Sequence, residues 1–348
     1  QEAIRSCSQA ADQGDAAAQS RLGWCYANGH GVEKDDVEAV RLWRLSAEQG
    51  HAIAQYYLGH MYDEGRGVSQ NDQEAFQWFL KAAEQGDADA QYDVGMRYSK
   101  GIGVSRDDTM AVKYWEMAAQ QGSKVAQYCL GMAYDKGFGV PNNHGEAARW
   151  YRLAAEQGHV GAQYFLGLLF AKGLGVPRDD AVAVKYWNMA SEQGDIDAQF
   201  MLGMAYEKGL GVPQNDIAAT KWYRTAAEKG DIGAQLKMGY RCSSGLGLPK
   251  DEYEAANWFQ LAADQGSSSA QYFLARRYAE GRGVPKDDDR AIKYMKMSAE
   301  QGDPDAEFNM GWRYDNGEGV SRNNVEAAKW YMRAAEQGHA NAQYNLGV

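Results

Sequence analysis

Six histidines, four cysteines and several Asp-rich stretches are the residues of this chain whose types could do chemistry. A zinc site read from sequence needs spacings such as His-Glu-x-x-His or Cys-x-x-Cys, which bring two ligands to one ion. Neither spacing occurs. The run Asp287-Asp288-Asp289 could attract calcium, but it lacks the spaced carboxylates and terminal Glu of a known loop, and helix capping is the plainer reading. Gly-x-Gly runs such as Gly101-Ile102-Gly103 raise the question of a nucleotide loop. A dinucleotide fingerprint needs a third glycine between a strand and a helix, and here the third glycine is missing. Nucleophile–base sets are defined by geometry, and no spacing points to one. The chain is therefore read as non-catalytic, with no metal and no cofactor.

These residues must be positioned by something, and what positions them is a repeat. Glycines at 14, 50, 86, 122, 158, 194, 230, 266, 302 and 338 recur every thirty-six residues without an insertion. A fixed period in this range marks a solenoid built from one supersecondary unit. Residues 1–14 end one repeat, 15–338 make nine, and 339–348 begin another, so 1–348 is expected to be one continuous domain.

Positions are counted from each closing glycine. Position 1 is Asp, Ser or His (Asp15, His51 and Ser123 are examples), which can accept the free amides of a starting helix. Ala at position 4, Leu, Val or Met at 8 and mostly Tyr at 12 form one stripe of a first helix. Gly at position 9 weakens an isolated helix by about 1 kcal/mol relative to Ala, so its recurrence predicts a close helix–helix approach. Ala275 replaces it once, and there a looser contact is expected. The first helix ends at Gly-x-Gly-Val, where a left-handed residue is needed. Asp or Asn at position 21, as in Asp35 and Asn71, caps a second helix. That helix carries Ala at 25, large residues at 28 and 29, and small ones at 32 and 33, as in Ala147, Trp150-Tyr151 and Ala154-Ala155. The unit is a helical hairpin whose apolar face needs a neighbour on each side.

Where the repeats disagree, recognition is the expected chemistry. Positions 3, 7, 10, 11 and 14 vary, and at about 100° per residue they share one sector turned away from the stripe. By analogy with related hairpin solenoids, the first helix lines a concave groove. Trp24, Met96, Arg97 and Met132 would then lie in its early part, and Phe165, Leu168, Leu169, Met201 and Met204 would form an apolar centre. Tyr240, Arg241, Arg276, Arg277, Trp312 and Arg313 follow. Trp, Tyr, Met and Arg are enriched at protein interfaces. The competing reading is packing against the next repeat, with the arginines the safer groove candidates.

Bulk properties narrow the partner. With 47 acidic and 36 basic residues, the net charge is −11. A nucleic-acid surface needs clustered cations, so nucleic acid is excluded as the expected partner. No apolar run reaches membrane-span length. Cys7 and Cys25 fall on consecutive helices, where a disulfide is geometrically open, while Cys129 and Cys242 lie in separate repeats and read as buried or free thiols. The start at Gln1 without Met fits a removed signal peptide as well as a trimmed chain. No Asn-x-Ser/Thr sequon occurs.

The strings Ala-x-Gln-Tyr-x-Leu-Gly, Tyr-x-x-Gly-x-Gly-Val and Ala-x-x-Trp-Tyr-x-x-Ala-Ala-Glu-Gln-Gly make the chain resemble Sel1-like repeats, longer relatives of tetratricopeptide repeats. The resemblance covers essentially the whole chain. The fold expected is all-α, a right-handed superhelical α/α solenoid of 36-residue hairpins. The resemblance implies a non-catalytic scaffold holding one partner protein in its groove. The family includes adaptors in signalling, secretion and protein quality control. It also includes bacterial periplasmic immunity proteins against type VI lipase effectors, and immunity against such a toxin is the sharpest form of the expectation. A cysteine-rich branch is linked to penicillin binding, which leaves a cell-wall or β-lactam enzyme as an alternative. That branch has a Cys pair in each repeat, and this sequence does not. The resemblance places the protein in the bacterial periplasm or otherwise exported, with the cytoplasm as the alternative.

Overall fold

A computed structural model describes residues 2–347, and every regular element among them is an α-helix. Two compact units arise, one up to Asp179 and one from Asp180. The first holds α1 (Glu2–Asp12), α2 (Ala16–Asn28), α3 (Asp36–Glu48), α4 (Ala52–Glu64), α5 (Asp72–Glu84), α6 (Ala88–Lys100), α7 (Asp108–Gln120), α8 (Lys124–Lys136), α9 (His144–Glu156) and α10 (Val160–Lys172). The second holds α11 (Asp180–Glu192), α12 (Ile196–Lys208), α13 (Asp216–Glu228), α14 (Ile232–Ser244), α15 (Glu252–Asp264), α16 (Ser268–Glu280), α17 (Asp288–Glu300), α18 (Pro304–Asn316), α19 (Asn324–Glu336) and α20 (Ala340–Gly347). None of these helices is long and apolar enough to cross a membrane.

The helices begin and end where the sequence says they should. Asp15 accepts from the Ala18 amide, and Asn71 accepts from the amides of Gln73 and Glu74. The ring of His51 does the same work, its Nδ1 accepting from the Ala54 amide at 3.3 Å. Gly65 stops α4 in the left-handed conformation, at φ 67°. The second glycine of the pair has a different task. A Cβ on Gly103 would lie 2.0 Å from the Asp72 carbonyl oxygen, so this glycine lets one hairpin's loop rest on the preceding hairpin's second helix.

Within each unit, hairpins are closed by the glycine at position 9. A Cβ on Gly131 would stand 2.4 Å from the Tyr151 ring, and one on Gly95 2.5 Å from the Trp115 ring. Gly59 against Phe79 and Gly239 against Phe259 repeat the arrangement. The exception is informative. Ala275 sits opposite Met295, the one position-29 residue that is not a ring, and both are buried. The expected looser contact is instead a compensated one, because an unbranched thioether makes room for a methyl group.

A buried line of side-chain amides ties hairpin to hairpin. Gln55 Nε2 donates to the Ala47 carbonyl of the preceding hairpin at 3.1 Å, while its Oε1 accepts from Gln85 Nε2 at 2.7 Å. Gln91 with Ala83 and Gln121, and Gln271 with Ala263 and Gln301, repeat this geometry. Two places depart from it. Lys229 replaces the second glutamine and donates to the Gly194 carbonyl, leaving Gln199 Oε1 without a hydrogen-bond partner. Glu307 replaces the first glutamine and cannot donate. Arg333 therefore pairs with Glu307 at 2.8 Å and itself donates to the Ala299 carbonyl.

All four cysteines carry free thiols, so the Cys7–Cys25 bridge left open by the sequence is not formed. Burial pushes the Cys129 thiol up to about 12.

Candidate partner-binding face

The variable sector divides between two adjacent positions. Position 10 stays at the surface: Trp24 is 41% exposed, Met132 37%, Tyr240 38% and Trp312 41%, and Arg276 is exposed as well. Met96, Leu168 and Met204 at the same position are half-buried. Position 11 is covered. Arg97, Leu169, Arg241, Arg277 and Arg313 are all buried, which corrects the expectation for the position-11 arginines but not for Arg276, which is exposed.

The reason lies in the preceding hairpin. Arg241, 1% exposed, donates to Glu207 at 3.0 Å, Thr220 at 2.7 Å and both the side chain and carbonyl of Asp216. Asp216 opens α13, so the guanidinium pins α14 to the start of the second helix before it. Arg277 repeats this with Glu252, the first residue of α15, at 2.7 Å, and lies over the Phe259 ring. Arg97 reaches Asp63 at 2.7 Å, and Arg313 donates to the Glu318 carbonyl. These are inter-hairpin and loop clamps. Position 7 also packs backward: Phe165 stacks on Tyr151 with centroids 5.7 Å apart, Tyr57 stacks on Trp43, and Phe273 stacks on Phe259. Met201 there is half-buried. Asp93 is the acidic member of this row. Burial pushes its carboxyl up, against the pull of His60 and Arg97.

What remains at the surface forms a cavity in each unit, at the same place in the repeat. In the first unit, Trp24, Trp43, Tyr57, His60, Glu64 and Arg66 line a space of ≈ 350 Å³. In the second, Tyr240, Phe259, Phe273, Arg276, Glu280 and Arg282 line one of ≈ 280 Å³, joined by Lys250, Glu252 and Arg277. Residue by residue, both have a position-10 side chain at the mouth, a position-29 ring stacked on a position-7 ring as the floor, and a Glu-Gly-Arg corner. The sequence reading missed that corner. The tripeptide occurs only as Glu64-Gly65-Arg66 and Glu280-Gly281-Arg282, which is the signal that could have found it. Both spaces lie at the small end of ligand pockets, which run from about 300 to 1,000 Å³, and either is large enough for one or two side chains of a polypeptide.

The charges of the two cavities differ. In the first, Arg66 is held by Asp36 at 2.7 Å and Glu64 at 3.3 Å. In the second, Glu252 takes Arg277 and Lys250, and Glu280 takes Arg282 and Arg276. The hydrogen bond from Arg277 holds the Glu252 carboxyl below its usual range. Burial pushes the Tyr240 hydroxyl up, so it stays protonated and able to donate a hydrogen bond.

Comparison with known proteins agrees with this architecture. The Sel1 repeat model matches nine consecutive segments: residues 16–51, 52–87, 88–123, 124–159, 160–195, 196–231, 232–267, 268–303 and 304–339. The chain is similar to c5321, a protective antigen of uropathogenic Escherichia coli strains displaying an SLR fold. Identity is 35%, the TM-score is 0.82, and 99% of this chain and 81% of that one are covered. It is also similar to a Sel1 repeat protein from Oxalobacter formigenes, at 34% identity and a TM-score of 0.71 over 87% and 88% of the two chains. The immunity protein Pa5087 from Pseudomonas aeruginosa is 21% identical over 72% of this chain and 81% of that one, with a TM-score of 0.37, and carries no argument about function. A search of curated proteins finds no match. With its repeats matched end to end, the chain belongs to the Sel1 repeat family.

Proposed function

We propose that the protein is a non-catalytic scaffold that holds a partner polypeptide on the exposed face of its first-of-hairpin helices. The observation that carries this reading is position 10. Large rings such as Trp43, Phe79, Tyr151 and Phe259 are buried within the hairpins, yet Trp24 and Trp312 remain 41% exposed and Tyr240 38%. Exposed aromatics on a rigid frame are what binding hot spots are made of. The repeats supply the rigidity, since within each unit Gln55, Gln91, Arg241 and Arg277 tie a hairpin to the one before it.

Affinity capture from native extract, read by mass spectrometry, tests it. Trp24→Ser and Trp312→Ser are expected to keep the parent's stability within about 0.5 kcal/mol, as for other surface substitutions. A specific partner should fall at least about tenfold in recovery, the loss of a hot-spot residue. Recovery unchanged in both variants refutes the reading. The finer form, a toxic effector silenced by its immunity protein, is one identity that the captured partner could have. It is checked by whether co-expression of this chain rescues cells from that partner.

A further inference from the structure

We infer that the cavity between α14 and α16 takes an acidic segment of the partner, with a carboxylate set beside a ring or aliphatic group. The inference rests on the scaffold reading above and names the chemistry of what one part of that face accepts.

Lys250, Arg276, Arg277 and Arg282 surround this cavity, against only Glu252 and Glu280. Each carboxylate is shared by two cations: Glu252 by Arg277 at 2.7 Å and Lys250 at 2.9 Å, and Glu280 by Arg282 at 2.8 Å and Arg276 at 3.4 Å. Two positive charges are left without an anion of their own, in a chain whose net charge is −11. Asp303 and Asp305 are felt at the Tyr240 hydroxyl, but neither lines the cavity. One cation is fixed and three can move. The Arg277 side chain is 9% accessible and lies over the Phe259 ring, whereas those of Lys250, Arg276 and Arg282 are half-exposed or more. The mobile three can swing from shared carboxylates onto an incoming one, forming the paired, charge-assisted contacts that guanidinium groups favour.

The floor sets the second requirement. Tyr240 meets Phe273 edge-on at 4.6 Å, and Phe273 stacks on Phe259 at 5.4 Å, so the wall beside the cations is aromatic. An anion alone would leave it wet. A side chain with apolar surface next to the carboxylate would cover it. The register-equivalent cavity of the first unit acts as an internal control. There His60 and Met61 stand where Arg276 and Arg277 stand here, and the surplus of cations is absent. Nucleic acid would use the same cations, but the acidity of the chain around them disfavours a polyanion longer than the cavity.

The test uses the full chain and two fluorescein-labelled decapeptides, one alternating Phe with Glu and one alternating Phe with Gln, read by fluorescence anisotropy. The acidic peptide is expected to bind at least about tenfold tighter than its amide counterpart, with an advantage that shrinks as salt rises. In the R276Q/R282Q variant this preference should vanish, while R106Q, which removes an exposed arginine of the first unit, should keep it. Equal binding of both peptides overturns the inference. So does a preference that survives R276Q/R282Q, or no binding of the acidic peptide up to about 1 mM. Competition by a 20-nucleotide DNA strand stronger than by the acidic peptide overturns it as well, by making the site a general anion collector. If partner capture falls with Trp312→Ser but is indifferent to R276Q/R282Q, the acidic-segment inference fails and the scaffold stands. If neither variant moves it, the scaffold fails first.

Discussion

Arg241→Ala decides between the two roles an arginine on this face could have. Its guanidinium bonds Glu207, Thr220, the Asp216 carboxylate and the Asp216 carbonyl, and the side chain is 1% accessible. Removing one partner of a fully buried ion pair costs about 3–5 kcal/mol. The Glu207 and Asp216 side chains are 23% and 42% accessible, so water repairs part of the loss, and about 2–3 kcal/mol is expected. Arg241→Met keeps the apolar stem over α13 and should lose about half as much. Urea unfolding followed by circular dichroism measures the midpoint, and hydrogen exchange should locate the loosening in α12–α14, because hairpins in a solenoid lean only on their neighbours. The pH dependence adds a second check. Burial pushes the Glu207 carboxyl up, but hydrogen bonds from Lys237 and Tyr223 and the charges of Lys237 and Arg241 bring it below its usual range. A depressed carboxylate stabilises the fold above its unfolded pKa, about 4.3, and that contribution is lost as pH falls through the folded value. The cost of Arg241→Ala should therefore be full at neutral pH and shrink below pH about 4. An unchanged midpoint together with lost partner capture would refute this reasoning and return the arginine to the binding surface.

Gly131→Ala adds a methyl group 2.4 Å from the Tyr151 ring and is expected to destabilise by about 1–2 kcal/mol despite its better helix propensity. Tyr151→Met in the same chain should recover much of that, as the natural Ala275–Met295 pair does, and a thermal double-mutant cycle showing no coupling would count against it. Burial, and then Lys124, hold the His159 ring below its usual pKa, and its Nδ1 caps α10. Its contribution is present above pH about 6.5 and lost as pH falls through the lowered value, so His159→Asn should flatten the melting temperature between pH about 6.5 and 5. Arg333→Met leaves Glu307 buried with Gln337 alone and should cost about 3 kcal/mol, whereas adding Glu307→Gln should restore most of it by giving the Ala299 carbonyl a donor. Denaturation of the two variants side by side settles the matter.

The hairpin was legible because its determinants are local and periodic. Asp35 and Asn71 cap, Gly65 stops a helix, and Gly131 waits for a ring twenty residues later. Each of these acts within one repeat. Position 11 was misread because a helical wheel knows only its own helix. Positions 10 and 11 differ by about 100°, and on a wheel they share a sector. The start of the preceding second helix covers one and not the other, and that boundary lies in another repeat. The cavities were invisible for the same reason. Tyr240 and Phe273 come from successive repeats, Phe259 comes from the helix between them, and Arg282 comes from a loop whose glycines drew attention away from the charges beside them.

The line of glutamine amides has an evolutionary consequence. Gln91 hands a proton donor back to one hairpin and takes one from its own, so the amide donors and acceptors of this line balance within its 36-residue module. Duplicating or deleting such a module strands no polar group at the seam. Length can thus drift in whole modules at little thermodynamic penalty, and selection is free to adjust how many surfaces the array presents. The seam at Lys229 breaks that neutrality. A splice copying this module would also copy the orphaned oxygen of Gln199.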